Sequence, residues 1–212
     1  MKSETIEIAD LATILERRAE KGRVIAAVVG APGSGKSTIA EKLAGKLNAV
    51  RPEMAAVLPM DGYHYDDLYL GPAGLLARKG APHTFDVDGL YHVLRRMRAR
   101  DEVSVAVPVF DRKIEIARAG ARLISAAVPV IIVEGNYLLL QSDPWARLRP
   151  LFDVTVMLDV AEGLLRSRLT GRWNRFGLTG AEIQRKLEDN DLPNGRLVRT
   201  QSAVADYRIV TV

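Results

Sequence analysis

Eight consecutive residues, Gly30-Ala31-Pro32-Gly33-Ser34-Gly35-Lys36-Ser37, place three glycines, a lysine and a hydroxyl in a fixed order. The order is Gly, four residues, Gly, Lys, then Ser or Thr, and it lets backbone N–H groups turn inward around phosphates. An unbroken apolar run precedes it at residues 24–29 and a helical pattern follows, so a helix N-terminus would add its partial positive charge. Lys36 would reach the β and γ phosphates of a nucleotide, and the Ser37 hydroxyl would ligate Mg²⁺. Residues 30–37, together with Thr38, are therefore expected to hold ATP with Mg²⁺.

Binding a nucleotide does not decide what happens to its phosphate, so the nearby carboxylates matter next. Asp61 follows a predicted strand in Leu58-Pro59-Met60-Asp61-Gly62. A carboxylate there suits a base that accepts the proton of an attacking hydroxyl, although Asp-Gly is also an ordinary turn. Glu134 closes the apolar run at residues 128–133 and could serve Mg²⁺ or a substrate, or could simply be solvated. Arg166, Arg168, Arg172 and Arg175 fall on one predicted helix and the turn after it. They can close over phosphates as a lid, or form a solvated basic face. Residues 78–86 mix charge, glycine and proline and read as a loop.

These groups need elements to position them. Buried strands are expected at residues 24–29, 55–59, 103–109, 128–133 and 154–158, with a short last one at 207–210. Helical patterns cover residues 5–21, 36–48, 88–100, 161–175 and 179–189. Strands alternating with helices imply an α/β fold of three layers, with a mostly parallel central sheet and ligands beyond its carboxyl edge. A chain of 212 residues, 48% hydrophobic and 26% charged, with no internal repeat, suits a single domain over 1–212. Residues 1–22 would contribute an N-terminal helix and about 161–190 the arginine-bearing lid with its adjoining helices.

Composition excludes several chemistries. No cysteine is present, so disulfides and thiolate chemistry are ruled out, and His64, His83 and His92 lack a zinc spacing. No basic leader or membrane-spanning run is apparent, which gives a cytoplasmic expectation without a membrane partner. The net charge of +4 accommodates polyanionic nucleotides as readily as nucleic acid. No aromatic and basic RNA motif or helix-turn-helix accompanies it, so no nucleic-acid partner is expected.

Taken together, these segments resemble the family of P-loop kinases that contains uridine kinase, phosphoribulokinase and bacterial pantothenate kinase. Within it they look most similar to bacterial proteins described as kinases of a fructose transport system. The resemblance runs from about Arg23 to Val210. It is carried by residues 30–38, Pro59-Met60-Asp61-Gly62-Tyr63-His64, residues 78–86, Pro108-Val109-Phe110-Asp111-Arg112, Val133-Glu134-Gly135-Asn136-Tyr137-Leu138-Leu139 and residues 168–173. It implies that Asp61 is the catalytic base, that Glu134 serves the Mg²⁺ and substrate region, and that Arg168 and Arg172 belong to the lid. It also implies substrate contacts near Phe85, Asp86 and Asp111, with His64, Tyr65 and His83 as further pocket-lining candidates. Uridine kinases carry a histidine before the proline of the 78–86 loop, where this chain has Ala81, and the pantothenate kinase pattern there is only partly reproduced.

The implied activity is transfer of the ATP γ-phosphate to a hydroxyl of a small-molecule acceptor, sugar-like or nucleoside-like, and a homodimer is compatible with the sequence. A P-loop hydrolase that acts as a switch stays open as a second reading. Asp86-Val87-Asp88-Gly89 matches an Asp-x-x-Gly motif, while a guanine-reading Asn-Lys-x-Asp is absent.

Overall fold

The computed structural model describes residues 3–211. Six parallel strands form one sheet in the order β1 (Glu4–Thr5), β8 (Tyr207–Thr211), β7 (Val154–Val160), β2 (Val24–Gly30), β6 (Val130–Gly135) and β3 (Ala55–Pro59). The α/β fold with a mostly parallel sheet is thus present. Strand β2 lies between β6 and β7, and its residues alternate between two cores. Ile25, Ala27 and Val29 face one cluster, and Val24, Ala26 and Val28 the other. Burial on both faces is why the strand is an unbroken apolar run.

Helices α1 (Ile8–Ala19) and α2 (Lys36–Val50) cover one face, inserting Leu11, Leu15, Leu43 and Leu47. The other face receives α4 (Val87–Ala99) and α7 (Leu192–Gln201) through Leu90, Leu94, Met97 and Val198. A third, small core joins α5 (Glu162–Arg175) to α6 (Gly180–Lys186) and the turn after it through Leu165, Leu169, Ile183 and Leu187. No helix among the described residues is long and apolar enough to cross a membrane.

Several expectations need correction. The first helix begins at Ile8, not residue 5, because Glu4 and Thr5 pair with β8, and the Glu4 and Ile6 amides bond to Asp206 and Arg208 carbonyls at 3.2 and 3.0 Å. Residues 1, 2 and 212 lie outside the described residues. The strand expected at 103–109 is β4 (Ser104–Asp111), which does not join the sheet. It pairs antiparallel with β5 (Ile116–Ser125), a strand missed because Arg118, Gly120 and Arg122 mask its alternation. The hairpin docks by Val105, Val107 and Ile124. The last helical pattern does not end at 189; it passes through a π-helical turn, Leu187–Asp191, into α7.

The start of β2 is held by a side chain. Asp153, just before β7, accepts the Ile25 amide on its Oδ2 at 2.7 Å and is clamped by Arg98 at 3.0 Å. Asp153→Ala would leave that strand amide unpaired, so a loss of about 1–3 kcal/mol is expected. Urea unfolding should show a lower midpoint at unchanged slope, and an unchanged midpoint would refute this role.

Candidate active site

The chain turns directly from β2 into α2, and the turn can close only through backbone conformations that favour glycine. Gly33 has φ +79° and Gly35, the residue before α2, φ +90°. A side chain at Gly33 would also strike Leu169 Cγ at 2.9 Å, so the lid helix α5 lies directly against the loop. Gly35, Ser37 and Thr38 are exposed on the floor of a cavity of about 580 Å³, where the Lys36 side chain also emerges although that residue is only 8% exposed. Gly33 and Pro32 line it as well, whereas Gly30, Ala31 and Ser34 face away. Ser34 is buried, and its carbonyl accepts Arg168 Nη1 at 3.2 Å.

Parallel strands end on the same side, and that brings the carboxylates to the loop. Pro59 at the end of β3 pairs with Glu134 near the end of β6, and Val28 pairs with the same glutamate from the other side. Asp61 follows in a 3₁₀ turn, Met60–Tyr63. Glu134 is buried, and its Oε1 accepts the Ser37 hydroxyl at 3.0 Å. Burial pushes the Glu134 carboxyl up, aided by the nearby Asp61 charge and opposed by Lys36. Burial pushes the Lys36 ammonium down, against the attraction of Glu134 and Asp61. Asp61 goes the other way. Burial would raise it, but Arg112, His64, Lys36 and Arg172 outweigh that and hold it below the ordinary carboxylate range.

His64 donates from Nδ1 to the Asp61 carbonyl at 2.7 Å, which leaves Nε2 as an acceptor in the neutral ring that burial favours. Its ring lies 4.0 Å from Phe85 and 4.6 Å from Phe110, centroid to centroid, and all three line the cavity. Four other candidates stand apart. Tyr65 packs beside Tyr69 outside the cavity, and His83 is exposed away from it. Asp86 caps α4, accepting the Gly89 amide at 2.8 Å, which also gives the Asp-x-x-Gly segment a structural use. Asp111 accepts the Lys113 amide at 3.0 Å and Arg118 Nε at 2.9 Å, bracing the tip of the β4–β5 hairpin.

On the lid, Arg172 lines the cavity, and burial together with nearby Arg112 lowers its pKa. Arg166 is instead paired with Glu188 at 2.7 Å. Trp173 packs in the lid core and donates Nε1–H to buried Asp191 at 2.7 Å. Asp191, Asn190 and Asn194, from the π-helical turn and α7, were not anticipated and line the cavity. The extra turn residue that aims them leaves no mark in apolar spacing. Arg112 was also missed as a site residue: it reaches from the hairpin tip into the cavity and forms an ion pair with Asp61 Oδ2. Its one sequence signal was its place beside Asp111.

A phosphate-binding loop, a strand-end carboxylate and a helical lid on this sheet define a P-loop kinase. No protein-family model matches the chain. A Schizosaccharomyces pombe protein described provisionally as a uridine kinase is 32% identical over 191 residues, covering 87% of this chain and 81% of that protein. An uncharacterized Escherichia coli protein, YggC, is 33% identical over 94% of this chain and 81% of its own length. A crystal structure from Silicibacter sp. TM1040, described provisionally as a fructose transport system kinase, superposes with TM-score 0.87 at 39% identity, covering 98% of this chain and 100% of that one. The chain belongs to the P-loop kinase family of uridine kinase-like and fructose transport system kinase-like proteins. It is a kinase-family protein rather than a nucleotide switch.

The ion pair on Asp61 makes a direct test possible. In Arg112→Gln the Asp61 carboxyl should titrate at higher pH than in the native protein, because the largest opposing charge is gone. Carbon-detected NMR of labelled aspartate measures this, and an unmoved midpoint would show that Arg112 does not set the Asp61 charge.

Proposed function

We propose that the protein transfers the γ-phosphoryl group of ATP to a hydroxyl of a sugar-like or nucleoside-like small molecule. The observation that carries this reading is that one cavity joins the phosphate-binding loop to Asp61 and to an aromatic wall of His64, Phe85 and Phe110. At about 580 Å³ it exceeds what a triphosphate and its metal need, leaving room for an acceptor. A hydrolase without an acceptor has no use for such a wall.

In this reading Lys36 and the loop amides bind the β and γ phosphates, and Arg172 answers charge on the transferring group. Arg168 anchors the lid to the loop through the Ser34 carbonyl. Ser37 and Glu134 supply hard oxygen donors 3.0 Å apart, which fit Mg²⁺, a cation that takes its other ligands from phosphates and water. Held by Ser37 and Glu134, the ion would supply positive charge that offsets the charge of the phosphates. Asp61 accepts the hydroxyl proton as the acceptor oxygen bonds to the γ phosphorus and the bond to the β–γ bridging oxygen breaks. His64 Nε2 would accept a hydrogen bond from a second hydroxyl of the acceptor.

The acceptor is to be found by ADP release with ATP and Mg²⁺ across fructose, other sugars, ribulose 5-phosphate, uridine, other nucleosides, pantothenate and glycerate. One acceptor should stimulate release strongly, and chelation of the metal should abolish it. Asp61→Asn should lower that stimulated turnover by roughly 10²- to 10⁴-fold while nucleotide still binds. Full turnover in the variant would remove Asp61 as the base. Release indifferent to every acceptor would remove the kinase reading for this panel.

A further inference from the structure

Asp61 is already engaged by a cation: the Arg112 guanidinium holds its Oδ2 and, by the charge it sets there, lowers the basicity of the whole carboxylate, although Arg112 leaves Oδ1 unoccupied. The pairing is asymmetric. Asp61 is sunk in the cavity, with 14% of its side chain exposed, while the Arg112 side chain is 48% exposed on a turn. The turn itself is fixed: Asp111 ties down the Lys113 amide and Arg118, and Lys79 Nζ donates to the Glu115 carbonyl at 2.6 Å. The backbone therefore stays while the long Arg112 side chain can swing.

Where it would swing is set by its neighbours. Arg112 lies close enough to influence Lys36, Glu134 and Arg172 as well as Asp61, so it stands among the groups that surround the expected γ phosphate. A guanidinium forks onto phosphate oxygens as well as onto a carboxylate, and a triphosphate presents more negative charge than one aspartate. Arg172 is already there and repels Arg112, so with Lys36 three cations share the site before any phosphate arrives.

We infer that Arg112 is a latch on the catalytic base, paired with Asp61 in the empty protein and drawn onto the terminal phosphate when ATP binds. This deepens the kinase reading, on which it rests. The exchange gives the same residue two uses. It withholds the base until a transferable phosphoryl is present, and it then adds a positive charge beside the group in transfer. Acceptor hydroxyls would meet a free Asp61 only in the nucleotide complex, so nucleotide and acceptor should reinforce one another's binding.

The test repeats the Asp61 carboxyl titration in native and Arg112→Gln protein under three conditions: empty, with Mg²⁺ and ADP, and with Mg²⁺ and a non-hydrolysable ATP analogue. Bound nucleotide, seen in the same spectra, confirms that the variant is folded. The gap between native and variant in the empty protein should persist with ADP and largely close with the ATP analogue. A gap that persists with the analogue overturns the latch, because Arg112 has then stayed on Asp61. A gap that closes equally with ADP overturns the assignment to the terminal phosphate. Failure of either nucleotide to bind native protein would defeat the ATP-site reading together with the latch, whereas the first two outcomes leave the kinase reading standing.

Discussion

Lys36 puts an ammonium group where almost no water reaches, at the first turn of α2 under the mouth of a parallel sheet. Moving such a charge out of water costs several kcal/mol unless opposite charges stand beside it. Glu134 and Asp61 provide them, and both can do so because β6 and β3 run parallel to β2 and end at the same level. The sheet order and the loop thus depend on one another. The glycine turn presents Lys36, and the neighbouring strand ends deliver carboxylates whose charge favours its ammonium from beyond ion-pair distance, while Arg112 and Ser37 engage those carboxylates directly.

The two carboxylates share that neighbourhood yet are pushed apart in acidity. Glu134, deeper and nearly dry, is driven up by burial, while Asp61, ringed by Arg112, His64, Lys36 and Arg172, is driven down. Two acids with opposed tendencies suit two tasks, one beside the Ser37 hydroxyl and one facing the aromatic wall of the cavity. The lid follows the same logic at lower stability. Its helices pack in a small core of Leu165, Leu169, Ile183 and Leu187 that also takes Val160 from β7 and Leu192 from α7, while Leu169 rests on the loop at Gly33. So few apolar contacts make the lid the part that opens at lowest cost over a rigid floor.

What the sequence made legible divides along physical lines. Strands β2, β6 and β7 are buried on both faces, so their composition alone marks them, and the phosphate loop is marked by glycines its backbone requires. Asp61 and Glu134 could be placed because strand ends dictate where ligands collect. The β4–β5 hairpin was not legible, since β5 is largely exposed and its charged residues obey no burial pattern. That omission hid Arg112, whose importance arises from a contact 51 residues away in sequence. Asp86 stands apart from the cavity for the opposite reason. The loop around it does approach the cavity, but its carboxylate is used locally as a helix cap, which a family motif cannot distinguish from a substrate contact.

A kinase must deliver the γ-phosphoryl group to its acceptor and not to water. Phosphorus NMR of a reaction with ATP, Mg²⁺ and the acceptor that best stimulates ADP release would follow it directly. A phosphate-ester resonance growing in step with ADP, with little inorganic phosphate, is the expected result. Inorganic phosphate appearing at the same rate with and without acceptor, and no ester, would contradict it.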